Sequence, residues 1–364
     1  MKFTIASLPG DGVGPEVVAE CEKVLKAVAK KYGHTIEFKP GLIGAVSIDA
    51  TGSALTEETI EMCRKCDSIL LGAVGDPRYD DPSLKERPEN GLLAIRKAMG
   101  LFANLRPVNV LPMLVDSTSL KPEIIKGVDI MVVRELTGGL YFGQPKKRWE
   151  DAKGRYAVDT MAYSDMEIER IAKVGFELAR MRRKKLTSVD KANVLETSRL
   201  WRAIVHEVAK QYPDIELDDM LVDTCAMRLI QNPTYFDVIV TENTFGDILT
   251  DEASQIAGSM GLLASASLAS IPGKGTKAYG MYEPIHGSAP KRARQNKANP
   301  IATIVSGGMM LRYTFNLEKE ADAIDKAVLS VLDDGYRTYD IMSAGMKEIG
   351  TREMGDLIAA KVLK

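Results

Sequence analysis

The sequence predicts an α/β fold, because strands and amphipathic helices alternate along most of the chain. The first residues, KFTIASL, form a predicted strand, and the turn PGDGVGP leads into a helix near Pro15. The apolar residues of this helix recur at the spacing of one buried face, at Val17, Val18, Cys21, Val24, Leu25 and Val28. A strand TIEFK, a helix near 56–64 and a strand SILLGAV continue the alternation, which is typical of α/β proteins.

The middle of the chain repeats this pattern. Buried strands are predicted at VDIMVVRE, LTSVDKA, IELDDMLVD and FDVIVTEN, with helices near 165–185, 195–211 and 244–257. After about residue 299 the chain is mostly helical, over ANPIATIVSGGMMLRYTF, 318–334 and 351–363. No repeat or low-complexity linker marks a domain boundary, so the sequence allows a domain assembled from discontinuous segments. The basic run RMRRKK is interpreted as a solvated helix end, where the helix dipole favours positive charge.

Composition excludes several classes of protein. A chain of 364 residues forms two domains or one large one. Its 48 Lys plus Arg nearly balance 50 Asp plus Glu, which argues against a protein dedicated to nucleic acid. The N-terminus is interpreted as a strand and not a signal peptide, and no apolar run approaches the roughly 18 residues of a membrane helix. We therefore expect a cytoplasmic protein.

The four cysteines do not predict a disulfide framework or a metal site. Cys63 and Cys66 form a C-x-x-C pair, but the chain has only three histidines and no second pair. The pair lies late in a helical pattern, just before an apolar strand. We expect buried structural thiols.

The stretch PGDGVGPE resembles a dinucleotide fingerprint but lacks its third glycine. After Gly10 and Gly12 that glycine would stand at position 15, which is Pro15. The stretch is therefore interpreted as a tight turn after the first strand, although a cofactor could still pass close to it.

Three aspartates form a candidate metal site. Asp247 and Asp251 are four residues apart in a helical pattern and share one face, where their charges repel. A cation would offset that repulsion, and Asp223 in a second VD pair, at a predicted strand end, supplies another carboxylate. Oxygen ligands without His or Cys suit Mg²⁺ or Mn²⁺. The alternative is a pair of solvated aspartates on a surface helix.

Three arginines beside apolar segments indicate a polyanionic ligand. Arg96, Arg106 and Arg134 need partners if they are buried, and a guanidinium binds a carboxylate bidentately. On the predicted helix ENGLLAIRK, one face carries Glu89, Leu92, Leu93 and Arg96. That face would suit a substrate with a carboxylate and an apolar branch, although we expect at least one leucine to belong to the core.

These residues lie within longer motifs that resemble a known family. The stretches are LPGDGVGPEV, GLLAIRKAMGLFANLRPV, VRELTGGLYFG, VDKANVLETSRLWR, FDVIVTENTFGDILTDEAS and YEPIHGSAP…NKANPIATI. Over essentially the whole chain the sequence is similar to the β-decarboxylating isopropylmalate and isocitrate dehydrogenases, and above all to their 3-isopropylmalate branch. The resemblance implies a non-Rossmann α/β fold. One domain would comprise 1–101 and 258–364 and the other 102–257, with an arm near 139–161 that helps form a homodimer.

The resemblance also implies roles for individual residues. Arg96, Arg106 and Arg134 would bind substrate carboxylates, with Glu89, Leu92, Leu93 and Val194 also at the substrate. Asp247 and Asp251 would hold the metal together with Asp223 of the other subunit, which also faces the substrate. Tyr141 and, across the interface, Lys191 would form the acid–base pair. The nicotinamide cofactor would be bound by Val13, Asn193, Glu283, His286, Gly287, Ser288, Ala289, Lys291, Arg292, Asn299, Tyr339 and Asp340.

The implied reaction belongs to leucine biosynthesis. It is the oxidative decarboxylation of (2R,3S)-3-isopropylmalate to 4-methyl-2-oxopentanoate and CO₂. The alternatives are a relative acting on D-malate, tartrate, isocitrate or homoisocitrate, and a non-catalytic role such as nucleic-acid binding by the basic loops. Leu92 and Leu93 offer no hydrogen bonds to a third carboxylate, which disfavours isocitrate.

Two departures from the family pattern bear on specificity. NAD-using members commonly have Asp at the position of Lys291, whereas this chain has Lys291, Arg292, Arg294 and, on a later segment, Tyr339. Positive charge there would attract a 2′-phosphate, so we expect NADP to be preferred over NAD. Thr224 stands where the family usually has Asn, which could alter metal affinity or substrate orientation.

Overall fold

The computed structural model describes residues 1–81, 83–272 and 277–364, and it has the predicted α/β alternation. The strands are β1 (Lys2–Gly10), β2 (Thr35–Pro40), β3 (Ser68–Ala73), β4 (Ala103–Asn109), β5 (Asp129–Glu135), β6 (Lys147–Asp151), β7 (Gly154–Val158), β8 (Lys185–Asp190), β9 (Glu216–Leu221), β10 (Val238–Thr241), β11 (Ala264–Leu268), β12 (Gly280–Pro284), β13 (Tyr336–Arg337) and β14 (Lys347–Glu348). The α-helices are α1 (Gly14–Tyr32), α2 (Ala45–Thr51), α3 (Glu57–Arg64), α4 (Pro88–Ala98), α5 (Pro122–Ile125), α6 (Asp165–Met181), α7 (Glu196–Ala209), α8 (Val222–Gln231), α9 (Asn243–Ala257), α10 (Ile301–Tyr313), α11 (Glu318–Asp333) and α12 (Thr351–Leu363).

One sheet of 10 strands organises the molecule, in the order β2-β1-β3-β12-β11-β4-β5-β10-β8-β9. Most neighbours are parallel, but β12–β11, β11–β4 and β4–β5 are antiparallel. The first five strands of this order come from outside 102–257 and the last five from within it. The antiparallel centre distinguishes the fold from a doubly wound Rossmann sheet. The predicted division into two domains remains a prediction.

Helices cover the sheet, and apolar residues of α10, α1 and α12 form much of the core. Helix α10 is apolar on nearly all sides and packs against β11 and β12, which buries most of its residues. Such a helix needs partners all round, and α1 and α11 supply them. No helix in the described parts of the chain is both long and apolar enough to cross a membrane.

The glycine-rich stretch after β1 is a tight turn, as predicted. Gly10 and Gly12 have φ of 67° and 58°, a left-handed conformation that favours glycine. A Cβ on Gly12 would lie 1.9 Å from the main-chain oxygen of Ser288. The buried Asp11 carboxylate accepts hydrogen bonds from the main-chain N–H groups of Ala45 and Gly75 at 2.9 and 2.8 Å. The turn thus fixes neighbouring loops.

Two predictions about the segment 215–223 were wrong in detail. Strand β9 lies at the edge of the sheet and is mostly half-buried, because only β8 pairs with it. Asp223 does not end a strand but lies in the first turn of α8, a helix that was not predicted. The dense charge of ELDDMLVD is therefore tolerated at the edge, where one side of the strand faces water.

The basic run 180–185 is not simply solvated, as had been expected. Helix α6 ends at Met181, and Arg182 donates a hydrogen bond of 2.8 Å to the buried Asp237 carboxylate. Arg182 and Arg183 also form ion pairs with Asp129 at 2.9 and 3.4 Å. These contacts join the end of α6 to β5 and β10.

All four cysteines are buried free thiols. Burial raises the pKa of Cys63 to about 12, so the thiolate that a metal or a redox reaction requires is scarce at neutral pH. Cys63 and Cys66 are therefore buried thiols, as expected.

A hairpin of β6 and β7 lies outside the large sheet, within the segment predicted to be an arm. Its strands are mostly exposed, and the rings of Trp149 and Tyr156 stack with centroids 5.2 Å apart while 42% and 36% exposed. An isolated two-stranded ribbon is marginally stable in water, which makes this exposed aromatic face a candidate contact surface.

Candidate active site

Helix α9 places Asp247 and Asp251 on one face, as their spacing predicted. Glu242 precedes the helix, and its carboxylate caps the N-terminus by accepting hydrogen bonds from the main-chain N–H groups of Thr244 and Phe245. Strand β10 ends one residue earlier, at Thr241, so the helix starts at the carboxyl end of this strand. The two aspartates therefore lie above the carboxyl end of a buried strand.

Two of the predicted arginines meet these aspartates from neighbouring strands. Arg134 of β5 lies opposite Asn104 in the antiparallel pair, so Arg106 of β4 is its diagonal neighbour on the same face. Both arginines are buried. Arg134 forms a hydrogen-bonded ion pair with Asp247, and Arg106 lies 3.7 Å from Asp247 and 3.8 Å from Asp251.

The electrostatics of this cluster separate the two carboxylates. Burial raises the pKa of both, but for Asp247 the charges of Arg134 and Arg106 outweigh burial and the net shift is downward. For Asp251 burial prevails over the attraction of Arg106, and the pKa is raised. Burial, together with repulsion from Arg134, lowers the pKa of Arg106 to about 10. The cluster therefore pairs two buried guanidiniums with two carboxylates whose pKa values are shifted in opposite directions.

Tyr141 joins the same cluster from the 3₁₀ helix Gly139–Tyr141. Its hydroxyl donates a hydrogen bond of 2.8 Å to the second carboxylate oxygen of Asp247. Burial and this hydrogen bond raise the pKa of Tyr141 to about 12, so the phenol carries its proton at neutral pH. A protonated, half-buried tyrosine beside a carboxylate is a candidate proton donor.

Sequence reasoning missed Asn243, which orients Arg134. The Oδ1 atom of Asn243 accepts hydrogen bonds from Nε and Nη2 of Arg134 at 3.1 and 2.7 Å. Its amide nitrogen donates at 3.0 Å to the main-chain oxygen of Gly138, in the turn that leads to Tyr141. A polar Asn at the first position of the helix carrying Asp247, two residues after a buried strand, was the available signal.

Lys191 and Asp223 form a second cluster. Lys191 follows β8, and its amine lies 2.5 Å from Asp223 Oδ1, a contact that lowers the pKa of Asp223. Asn193 and Val194, predicted to be near cofactor and substrate, are exposed on the following turn. Among the described residues of one chain no three or more His, Cys, Asp or Glu side chains are arranged to hold a metal. The three predicted carboxylate ligands thus do not meet within one chain.

The predicted substrate helix α4 separates its two leucines. Leu92 packs against a core cluster that includes Ile43 and Ile95, whereas Leu93 is outside every core cluster of the described residues. Arg96 is buried and donates a hydrogen bond of 2.9 Å to Glu283. Glu89, at the start of the helix, is exposed. Leu93 is therefore the leucine that remains available to a ligand.

A cavity of about 430 Å³ brings together most of the predicted cofactor residues. Its lining includes Val13, His286, Gly287, Ala289, Arg292, Asn299, Tyr339 and Asp340. Four predicted cofactor residues do not line it, namely Asn193, Glu283, Ser288 and Lys291. Lys291 and Arg292 are both exposed, and the Arg292 guanidinium lies 4.4 Å from the centroid of the Tyr339 ring. The positive charge at the cavity wall therefore comes from Arg292.

The cavity has polar groups that suit a nucleotide. The buried Nε2 atom of His286 has no hydrogen-bond partner among the described residues, and burial lowers the pKa of this imidazole, which favours its neutral form. Asp340 accepts hydrogen bonds from Ser259 and Asn299, which fixes these three lining residues relative to one another. An unpaired buried nitrogen carries a free-energy cost that a ligand hydrogen bond would offset.

Fold and site together define a class, an α/β enzyme whose arginine–aspartate cluster and separate nucleotide-sized cavity suit oxidation of a small organic acid. A profile of the isocitrate/isopropylmalate dehydrogenase family matches residues 4–358. The chain belongs to this family, and its fold is that of an oxidoreductase of the isopropylmalate and isocitrate dehydrogenase type.

Similarity to curated proteins supports the same family assignment. The chain is 64% identical to "3-isopropylmalate dehydrogenase" of Dehalococcoides mccartyi over 99% of both chains. It is 58% identical to the protein of the same name from Carboxydothermus hydrogenoformans, over 99% of this chain and 95% of the relative.

Solved structures show the same fold. Isocitrate dehydrogenase from Methylococcus capsulatus superimposes with a TM-score of 0.86 at 33% identity and full coverage of both chains. A β-decarboxylating dehydrogenase from Thermococcus kodakarensis superimposes with a TM-score of 0.78 at 33% identity, over 99% of this chain and 96% of the other.

Proposed function

We propose that the protein oxidises and decarboxylates 3-isopropylmalate in leucine biosynthesis. The observation that carries the proposal is the cluster of Arg106, Arg134, Asp247 and Tyr141, near which the helix of Leu93 and Arg96 also lies. The charge of Arg96 contributes to lowering the pKa of Asp247, so α4 and α9 border one site. The arginines can bind the two carboxylates of the substrate, and Leu93 can contact its apolar branch. The names of the curated relatives support the same substrate.

The donor set of α9 fits Mg²⁺ or Mn²⁺. The Asp251 side chain is 62% exposed and its nearest cation is 3.8 Å away, so its oxygens are available as ligands. Asp247 would contribute a second carboxylate, and Asp223 of the other subunit a third. A bound divalent ion supplies Lewis-acid polarisation of the hydroxyl and carboxylate of the substrate.

The residues of the chain would then bind the substrate and move protons. Arg96, Arg106 and Arg134 hold its carboxylates, and Lys191 of the other subunit accepts the hydroxyl proton as C2 is oxidised. A nicotinamide dinucleotide bound in the cavity would supply the hydride acceptor. After the β-carboxylate leaves as CO₂, Tyr141 donates the proton that completes the product. The domain boundaries at 101/102 and 257/258 would place this chemistry between two domains.

A homodimer would bring Lys191 and Asp223 of one chain to Asp247 and Asp251 of the other. The hairpin of β6 and β7 supports this assembly, because its exposed Trp149 and Tyr156 gain a partner when two chains associate. Each active site would then contain residues from both subunits.

Substitutions at Leu92 and Leu93 should separate specificity from stability. Leu93→Ser is expected to lower kcat/KM for 3-isopropylmalate about 10-fold or more, because one apolar contact discriminates by ~1–3 kcal/mol. Its Tm should change little. Leu92→Ala is expected to lower Tm because Leu92 packs against the core. Kinetics on a panel of 3-isopropylmalate, D-malate, tartrate, isocitrate and homoisocitrate would measure this, and a higher kcat/KM for another acid in the parent enzyme would refute the substrate.

The cofactor is proposed to be NADP. Arg292 supports this, because a guanidinium held against Tyr339 at the cavity wall can bind a 2′-phosphate, which NAD lacks. Lys291 would add positive charge from outside the cavity. The names of the relatives do not specify the dinucleotide.

The ratio of kcat/KM for NADP over NAD tests this directly. We expect a ratio above one in the parent and a fall of about 10- to 100-fold in Arg292→Ala, the loss of one charge-assisted hydrogen bond. Lys291→Asp should lower it too, by repelling the phosphate. A parent ratio below one would exclude NADP preference, and an unchanged ratio in one variant would exclude that side chain as a contact.

A further inference from the structure

Glu16, in the first turn of α1, binds the loop that carries Arg292. One carboxylate oxygen accepts a hydrogen bond from the main-chain N–H of Arg294 at 2.7 Å, and the other accepts one from the main-chain N–H of Asn296 at 3.0 Å. The two N–H groups are two residues apart, and the carboxylate bridges them. The contact joins residues nearly 280 positions apart in the sequence, and it starts from the glycine-rich stretch PGDGVGPE.

The loop has a conformation that needs such support. Arg294 and Asn296 have φ of 64° and 55°, in the left-handed region that side chains other than glycine rarely adopt. Left-handed residues can turn neighbouring main-chain N–H groups toward one point and create a concave site for an anion. In this loop the anion is the Glu16 carboxylate, so the charge of Glu16 stabilises a main-chain path that is otherwise disfavoured.

The loop has further anchors on its other side. The main-chain oxygen of Asn296 accepts a hydrogen bond from Thr351 at 3.1 Å, and its side-chain amide donates to Glu353 at 3.1 Å. At the start of the loop, the main-chain N–H of Val13 donates to Ser288 at 2.8 Å. Loss of Glu16 would therefore free the main chain at Arg294, while Asn296 would keep its attachments to α12.

We propose that Glu16 is a positioning residue for the dinucleotide, acting through the loop 290–296. By holding the main chain at 294 and 296, it keeps Arg292 against Tyr339 at the cavity wall. This inference rests on the proposed function, because it presumes that the cavity binds a nicotinamide dinucleotide. The glycine-rich stretch would then support the loop 290–296 through Glu16 and would not itself bind a phosphate of the cofactor.

The direction in which NADP affinity changes when Glu16 is substituted distinguishes a positioning role from a direct effect of its charge. Glu16 is negative and close to a site for an anionic dinucleotide, so removing its charge would strengthen binding through space. Removing the hydrogen bonds between Glu16 and the loop would weaken NADP binding, because the loop would hold the binding-competent arrangement for a smaller fraction of the time. The two effects have opposite directions.

Glu16→Gln is the test variant, since a neutral amide keeps the size of the side chain but offers one acceptor oxygen to two N–H groups. We expect the Kd of NADP, measured by calorimetry without the acid substrate, to rise about 5- to 20-fold. The kcat at saturating NADP and the KM for the acid should stay within about twofold. Glu16→Asp, which keeps the charge, should recover part of the affinity.

Two controls make the result specific. Glu22→Gln changes another carboxylate of α1, one that accepts hydrogen bonds from Ser7 and Lys26, and it should leave the Kd unchanged. In a background of Arg292→Ala, Glu16→Gln should have a smaller effect than in the parent, because both changes act on one contact.

Several outcomes would overturn the proposal. An unchanged or lower Kd in Glu16→Gln would do so, as would full additivity with Arg292→Ala. If Glu16→Gln lowered kcat and also raised the KM for NADP and the KM for the acid, the cause would be general structural damage and not a role in positioning the dinucleotide. If the parent binds neither NADP nor NAD, the proposed function fails and this inference fails with it, whereas failure in the variants alone removes only the role of Glu16.

Discussion

Mixing two inactive variants, Lys191→Ala and Asp247→Asn, is expected to restore roughly a quarter of the parent activity. In the proposed dimer each site combines Lys191 of one chain with Asp247 of the other. A mixed dimer would then have one site with both defects and one intact site. Random exchange gives about half mixed dimers, each with one of two sites active.

The separation of the two clusters in a single chain is the reason for this expectation. Lys191 contacts Asp223 between β8 and α8, whereas Asp247 contacts Arg134 and Tyr141 above β5 and β10. Lys191→Ala alone should lose about 10²- to 10⁴-fold in kcat, the usual contribution of a positioned acid or base, and Asp247→Asn should lose activity because it removes a proposed metal ligand. In Lys191→Ala hydride transfer should be blocked, while decarboxylation of a supplied 2-oxo acid should be less affected.

A matched control uses two variants of one cluster. Asp247→Asn mixed with Tyr141→Phe should restore nothing, because each site in the mixed dimer then keeps one defect. Activity is measured after the subunits are exchanged in mild denaturant and refolded. Absence of recovery with Lys191→Ala, after mass spectrometry has shown mixed dimers, would mean that the sites are not shared.

Asp247→Asn is expected to weaken Mn²⁺ binding by at least about 100-fold. It removes one anionic ligand from an oxygen site whose affinity depends on ligand charge. The parent should lose activity in excess chelator and regain it with Mg²⁺ or Mn²⁺. Calorimetric titration with Mn²⁺ measures the affinity, and Glu252→Gln, a carboxylate change on the same helix, is the matched control. Full activity of the Asp247→Asn variant in excess chelator would rule out a metal held by this residue.

The same substitution should change how stability depends on pH. The pKa of Asp247 is lowered in the folded protein, against burial, by Arg134 and Arg106. Its charged form therefore adds stability above the unfolded-state pKa of about 3.9, and this contribution is lost as the pH falls toward the lower folded value. Thermal unfolding between neutral and acidic pH should show a larger loss of Tm in the parent than in Asp247→Asn. Equal losses would mean that the ion pair adds no net stability.

Periodicity in the sequence predicted the helices of the core well, because burial repeats at a fixed spacing. Helix α9 was expected near 244–257 and spans Asn243–Ala257, so the shared face of Asp247 and Asp251 followed directly. Helix α8 was missed because it begins at Val222, directly after β9 ends at Leu221, and its first residues were interpreted as the end of that strand. Local patterns describe buried segments better than exposed ones.

Contacts between distant segments were beyond local patterns. The sequence indicated that Arg106 and Arg134 needed partners, but only the antiparallel register of β4 and β5 places them diagonally on one face. The same holds for Arg292, whose contact with Tyr339 depends on a loop in left-handed conformation. The prediction from the sequence relied mainly on Lys291 for the phosphate contact, because positive charge can be located along a chain while the direction of a side chain cannot.

The two tryptophans of the chain give it a convenient pair of optical reporters. Trp201 is buried, with its indole nitrogen 3.1 Å from Ser188, so its emission should lie at short wavelength and shift to the red only on unfolding. Trp149, exposed on the hairpin, should emit at long wavelength and shift to the blue when a partner covers it. A Trp149→Phe variant would therefore report unfolding alone, and a Trp201→Phe variant would let dilution experiments follow subunit association by fluorescence.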